Sequence, residues 1–132
     1  MEDKQIFISK FKDIQPLAKY ARKEHVIINY FKGSIWLAAK KNNRLVGCVC
    51  CQKKKDKARF KGDFVLPEYR NEGIYRSLFE ARNWLIRGLH LKEISAFCTQ
   101  MSIILYLENG FQVISKKVLK DKTKIYYVKR EK

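Results

Sequence analysis

The stretch Leu66-Pro67-Glu68-Tyr69-Arg70-Asn71-Glu72-Gly73-Ile74-Tyr75-Arg76 places a glycine three residues after an arginine, where an alternating apolar run gives way to a helical one. Such a turn suits an anion. The first N–H groups of a helix have no partner inside it, the helix dipole is positive there, and glycine lets the backbone come close to a ligand. Arg70 and Arg76 add positive charge, so phosphate is the natural guest. Glu72 brings the opposite sign, and its spacing of four from Arg76 predicts an ion pair that offsets it.

Other reactive side chains are few. Cys48 and Cys51 have Cys-x-x-Cys spacing, but the remaining soft ligands, Cys98, His25 and His90, do not stand at zinc-ribbon distances. No metal is expected. Cys48, Cys50 and Cys51 crowd into four residues of one strand, which disfavours a disulfide framework and favours reduced thiols. Each lone histidine is read as structural or exposed, with a lesser claim to act as a base.

The elements that must position these residues follow from periodicity. Gln5 to Ile8 reads as a strand, and a helix carrying Leu17, Tyr20 and Ala21 opens near Pro16. Residues 26–31 are apolar and fit either a short helix or an extended segment. Ile35 to Lys40 and Leu45 to Gln52 flank the polar turn Asn42-Asn43-Arg44 as a hairpin. Ala58 to Leu66 adds a third strand, alternating at Phe60, Gly62, Phe64 and Leu66. After Pro67, apolar residues at Ile74, Leu78, Ala81, Leu85 and Leu89 mark an amphipathic helix that ends near Gly88. Glu93 to Cys98 is a strand, and Gln100 to Glu108 a nearly all-apolar helix expected to be buried, with Asn109-Gly110 as its cap. Phe111 to Leu119 and Lys124 to Lys129 close the chain as two strands.

Composition sets the frame. With 132 residues, 46% of them hydrophobic, the chain fits one folded domain spanning 1–132. The N-terminal residues lack the basic start and apolar stretch of a signal peptide, and the apolar runs fall short of a membrane span, so a cytoplasmic protein without membrane contact is expected. Lysine and arginine total 29 against 13 acids, a formal charge of +16. This balance points either to an anionic partner or to a lysine-rich soluble surface.

Val65-Leu66-Pro67-Glu68-Tyr69-Arg70-Asn71-Glu72-Gly73-Ile74, followed further on by Tyr106-Leu107-Glu108-Asn109-Gly110-Phe111, resembles the GNAT acetyltransferase superfamily. The resemblance covers nearly all of the chain in element order, and residue by residue the stretches 63–78 and 99–111. It implies an α/β (α+β) fold, with a mixed, mostly antiparallel sheet of six to seven strands and about four flanking helices. It further implies an acetyl-CoA-dependent N-acetyltransferase acting on a primary amine.

By this resemblance Arg70, Asn71, Glu72, Gly73, Ile74 and Tyr75, with Arg76, cradle the coenzyme A pyrophosphate. Position 75 departs from the family pattern, which favours Gly or Ala there. Phe64, Val65 and Leu66 form the strand whose exposed backbone pairs with the pantetheine arm, the Val65 amide polarising the thioester. Tyr106 stands where the family places a general acid, and Thr99 where it often has an asparagine touching the cofactor. The amine must also lose a proton, and Asp63, just before the cofactor-binding end of its strand, is the candidate base.

The acceptor is an amine that is either nucleic-acid-linked or part of an acidic protein or small molecule; a polyamine would be repelled by the charge. Monomer and homodimer are equally compatible with the sequence. Lysines recur at 53–57 and across Lys116, Lys117, Lys120, Lys122 and Lys124, which favours the acidic or nucleic-acid-linked acceptor. The competing function is a non-catalytic nucleic-acid-binding module on a GNAT-like fold, supported by Tyr75, Thr99 and the lack of a clear base.

Overall fold

The computed structural model describes residues 4–131. Strands β1 (Lys4–Ser9), β2 (Ser34–Lys41), β3 (Arg44–Lys54) and β4 (Lys57–Val65) form an antiparallel meander. Strand β5 (Glu93–Thr99) joins β4 in parallel, and β7 (Lys124–Glu131) and β6 (Gln112–Val118) complete a seven-stranded sheet in the order β1-β2-β3-β4-β5-β7-β6. The sheet is mixed and mostly antiparallel, as the resemblance implies. Asn42 and Asn43 adopt φ of 52° and 66°, the left-handed pair that a two-residue hairpin turn needs for its twist.

A parallel neighbour requires a crossover, and helix α3 (Ile74–Leu85) supplies it between β4 and β5. Before β2 the chain forms a broken helical arm: α1 (Phe11–Ile14), a 3-10 turn containing Pro16, then α2 (Ala18–Arg22). Leu17 and Ala21 are buried, while Tyr20 is exposed. Residues 26–31 form neither helix nor strand; Ile28 is buried and Val26 and Phe31 pack beside the arm. Among the described residues no helix is long and apolar enough to cross a membrane.

The two faces of the sheet carry separate cores. On one, the arm packs Ile14, Leu17 and Ala21 against Trp36, Cys48, Cys50 and Phe64. On the other lie α3 and α4 (Ile103–Glu108), joined by Arg76–Glu108 at 3.0 Å and by Asn83–Asn109 at 3.1 Å. Phe79, Tyr106, Phe111, Phe60 and Val128 belong to this second side. Cys48 packs on the arm side and Cys51 on the other, so the Cys-x-x-Cys pair points to opposite faces of its strand.

Strand β4 changes faces partway along. The sequence puts Phe60 and Phe64 on one side by alternation, yet Phe60 packs with α3 and Phe64 with the arm. The cause is a β-bulge: Cys48 pairs with Phe64 but Cys50 pairs with Lys61, so Gly62 and Asp63 together oppose Val49. Gly62 has φ +68°, and a Cβ there would sit 2.6 Å from the Trp36 ring. No other residue fits.

Helix α4 departs from expectation in length and burial. It begins at Ile103, because Thr99 Oγ1 accepts the Met101 N–H at 3.2 Å and the Thr99 carbonyl accepts the Ser102 N–H at 3.1 Å, closing a turn first. Only Leu105 and Tyr106 are buried; Ile104 is 67% exposed. Gly110 and Phe111 donate to the carbonyls of Leu107 and Tyr106, the paired bonds of a Schellman cap on Asn109-Gly110.

Candidate functional site

The bulge and the sheet order create an opening. β4 and β5 pair only from Lys57–Glu93 to Phe60–Ala96, although they run on to Val65 and Thr99. Beyond Phe60 they part. Leu66 N–H donates to the Val46 carbonyl at 2.8 Å, and bonded and non-bonded pairs alternate along an antiparallel ladder. Val65, opposite Gly47, therefore turns its own N–H and C=O away from β3 toward the gap. Its carbonyl is taken by Arg70 Nε at 2.9 Å, while the N–H faces the opening.

A cleft of about 390 Å³ lies there. Phe64, Val65 and Thr99 line it from the parted strands; Arg70, Asn71, Gly73, Ile74, Tyr75 and Arg76 line it from the turn and first residues of α3. Asp63 lines it as well. Leu66 and Glu72 are outside the lining, and so is Tyr106. Gly73 caps α3 with φ 81°, and a Cβ there would meet nothing within 4 Å. Gly73 thus leaves open space at the N-terminus of α3, where helix N–H groups lack partners, and the residues fit a phosphate-bearing cofactor.

The charges around the turn are arranged differently from the sequence reading. Glu72 precedes the helix and pairs with Lys41 rather than Arg76, while Arg76 reaches Glu108. Arg70 donates to Glu24 at 2.6 Å as well as to the Val65 carbonyl. Its guanidinium braces the end of β4 against the arm. Both arginines of the turn are thus engaged by acids.

Beneath the cleft sits a buried polar cluster that the sequence reading did not contain as a unit. Arg82, 1% exposed, donates to both carboxylate oxygens of Asp63 at 2.6 and 2.8 Å, and to the Cys50 carbonyl at 3.1 Å. Tyr75 and Tyr106 both donate to Asp63 Oδ2, at 2.5 and 2.7 Å. Arg82 stacks on Phe60 at 3.8 Å. Burial opposes its charge, but Asp63 and the tyrosines outweigh that and keep the guanidinium protonated. Burial, and after it the charge of Asp63, holds both phenols well above the usual tyrosine range.

This cluster alters how the two expected catalytic groups stand. Asp63 is not a lone carboxylate facing the cleft but one held by a bidentate arginine and two phenols. Tyr106 directs its hydroxyl into the cluster and is 1% exposed. Tyr75, unlike Tyr106, lines the cleft, although its hydroxyl also donates to Asp63. Arg82 was findable: it lies four residues after Leu78 and eight after Ile74, on the apolar stripe of α3.

A second cleft of about 220 Å³ adjoins the first and shares Val26, Asp63, Thr99 and Ser102 with it. Its walls add Arg59, Lys61, Phe31, Phe97, Cys98 and His25, among others. Burial pushes the Cys98 thiol up to about 12, so it offers no thiolate at neutral pH. His25 Nε2 lies 2.7 Å from Asp121 Oδ2, tying the β6–β7 turn to the end of the arm. His90 is exposed and lines neither cleft.

The chain matches the Acetyltransferase (GNAT) domain family over residues 32–113, more than half of its length. No curated protein matches it. Similar solved structures include the ribosomal-protein-S18-alanine N-acetyltransferase from Escherichia coli, with TM-score 0.80 and 14% identity over 98% of this chain and 94% of that one. The PaiA N-acetyltransferase from Thermoplasma acidophilum in complex with coenzyme A has TM-score 0.73 and 14% identity, covering 98% and 99%. A GNAT acetyltransferase from Elizabethkingia anophelis with acetyl-CoA bound has TM-score 0.71 and 16% identity, covering 98% of each chain. At these identities the likeness is one of fold.

Proposed function

We propose that this chain, which belongs to the GNAT acetyltransferase family, whose cofactor is acetyl-CoA, transfers an acetyl group to a primary amine presented through the second cleft. One observation carries the reading: the unpaired edge of β4 at Val65 and the open N-terminus of α3 at Gly73 face one cleft. Backbone amides from Gly73 to Arg76 would hold the pyrophosphate, and the Val65 N–H would meet negative charge developing on a carbonyl oxygen. Bound acetyl-CoA supplies an activated acetyl thioester.

The chain's own part in the chemistry is to hold the reactants and carry a proton. Asp63 borders both clefts. As the candidate base, it would take the amine's proton where the two clefts meet. Tyr75, 2.5 Å from Asp63 Oδ2, would give its hydroxyl proton to the departing coenzyme A sulfur and be reprotonated through Asp63. Arg82 donates to both carboxylate oxygens and so holds the carboxylate in place beside Tyr75. Tyr106 orients Asp63 from below, so the acid role passes from Tyr106 to Tyr75, the residue that departs from the family pattern.

Calorimetry and thermal shift with acetyl-CoA test the reading. Saturation at a hundred times Kd raises stability by about 2.7 kcal/mol. An unmoved melting curve at millimolar acetyl-CoA defeats it. Exposed Lys116, Lys117, Lys120, Lys122 and Lys124 on the β6–β7 hairpin favour a second reading, a nucleic-acid-binding module without catalysis. A salt titration of RNA binding separates the two, since phosphate contacts weaken with the logarithm of salt.

A further inference from the structure

Resting on the acetyltransferase reading, we infer that the second cleft holds an anion subsite, in which Arg59 and Lys61 recognise a carboxylate or phosphate on the acceptor amine. The two side chains occupy alternate positions of β4 before the bulge, so both project from the same face. Both are half-buried in the cleft wall. Beyond the bulge the strand changes phase, which is why Asp63 points instead toward Arg82.

What singles these cations out is their partners. Elsewhere around the site each guanidinium or ammonium meets an acid: Arg70 with Glu24, Arg76 with Glu108, Lys41 with Glu72, Arg82 with Asp63. Arg59 instead donates to the Ser95 hydroxyl at 3.2 Å, and Lys61 to Gln52 Oε1 at 2.8 Å. Among the described residues neither lies within ion-pair distance of a carboxylate. Asp63 borders the cleft but is already paired.

Exposed unpaired lysines are ordinary in a chain of charge +16; unpaired cations in a concave, partly dry wall are not. Burial pulls the Lys61 ammonium below its ordinary pKa, and a bound anion would reverse that cost. Aromatic rings fix the geometry. Lys61 Nζ lies 4.0 Å from the centre of the Phe31 ring, and the Arg59 guanidinium lies 5.0 Å from Phe97 and 5.8 Å from Tyr127.

Size and spacing narrow the class. The cleft is smaller than the roughly 300–1,000 Å³ of drug-sized sites, which suits a short amine. Lys61 and Arg59 stand two and four residues before Asp63, at most about 7 and 13 Å along the strand, the bulge shortening the rise between them. The anion therefore belongs several bonds away from the reacting nitrogen.

The test is calorimetric binding of four amines with one five-carbon skeleton to protein saturated with coenzyme A: 5-aminopentanoate, 5-aminopentyl phosphate, pentylamine and 1,5-diaminopentane. The anionic pair is expected to bind about tenfold more tightly than pentylamine, the worth of one charge-assisted hydrogen bond, with the diamine weakest. The better of the two anionic amines identifies the preferred group. Arg59→Gln and Lys61→Gln should each reduce that preference about tenfold, with melting temperature and coenzyme A binding as checks on folding. Pentylamine or the diamine binding as tightly as the anionic amines overturns the inference, as does a preference untouched in both folded variants. Coenzyme A is titrated first: its failure to bind sinks the acetyltransferase reading, while the same amine series on the free protein still decides for or against the subsite.

Discussion

The two clefts that meet at Asp63 handle charge in opposite ways. In the first, arginines at 70 and 76 are bound to Glu24 and Glu108, so the cleft relies on backbone N–H groups at Val65 and after Gly73 and on neutral side chains such as Asn71. In the second, Arg59 and Lys61 rest on neutral partners and aromatic rings. Backbone amides recognise shape and a fixed array of oxygens, whereas uncompensated side-chain cations recognise charge at short range. A constant ligand suits the first arrangement and a ligand defined by its charge suits the second. Asp63, which lines both clefts and is held from behind by Arg82, stands in the wall between them.

The contrast depends on that wall, so the largest effect should come from breaking it. Asp63→Leu or Arg82→Met leaves a buried charge alone and is expected to lower stability by about 3–5 kcal/mol in urea unfolding, while the double variant recovers most of the loss. Additive losses in the double variant would mean that the pair does not act as a unit.

Next comes Gly62→Ala, which forces a Cβ against Trp36 in a left-handed conformation. It should lower stability by about 2–4 kcal/mol and loosen the division between the clefts, read as a lower melting temperature. A neutral outcome would show that the bulge can relax away.

A sharper comparison sets Tyr75→Phe against Tyr106→Phe. The first is expected to reduce kcat about 100-fold with acetyl-CoA affinity retained, the second less than tenfold. Reversed magnitudes would return the acid role to Tyr106.

The smallest effect is spectroscopic. Both phenols at Asp63 have folded-state pKa values raised above the unfolded value of about 10. The stability they confer is fully present below about pH 10 and is lost as pH rises through the folded values, because only the unfolded chain has given up those protons. Of seven tyrosines, no more than five should show tyrosinate absorbance before alkaline unfolding.

Much of this architecture was written in local pattern. Asn42-Asn43 gave a hairpin turn, Ile74 and Leu78 gave the buried stripe of α3, and Asn109-Gly110 gave a helix cap, because each depends on neighbours within a turn. What escaped depended on tertiary contact. Gly62 looked like one more member of an alternating strand, and only the Trp36 ring above it marks the bulge. Arg82 lay hidden among apolar residues because its partner, Asp63, reaches it from another element. The turn at Arg70 to Arg76 could be read as an anion cradle from its residues, but the diversion of Arg70 to Glu24 and of Glu72 to Lys41 required the arm and β2 to be in place. The hydroxyl directions of Tyr75 and Tyr106 follow from Asp63 and from nothing near them in sequence.

The bulge at Gly62-Asp63 has one more consequence, in the arithmetic of odd and even positions. A regular strand assigns each side chain to a face by parity alone, so one strand of fixed register could not show cations to one layer and their would-be neutraliser to the other. The inserted residue changes parity once. Deleting one residue there would restore a single parity: if the register beyond it held, Arg59 and Lys61 would swing into the layer of α3, and Phe60 would face the arm. One glycine thus keeps Asp63 from cancelling the two charges that precede it in the chain.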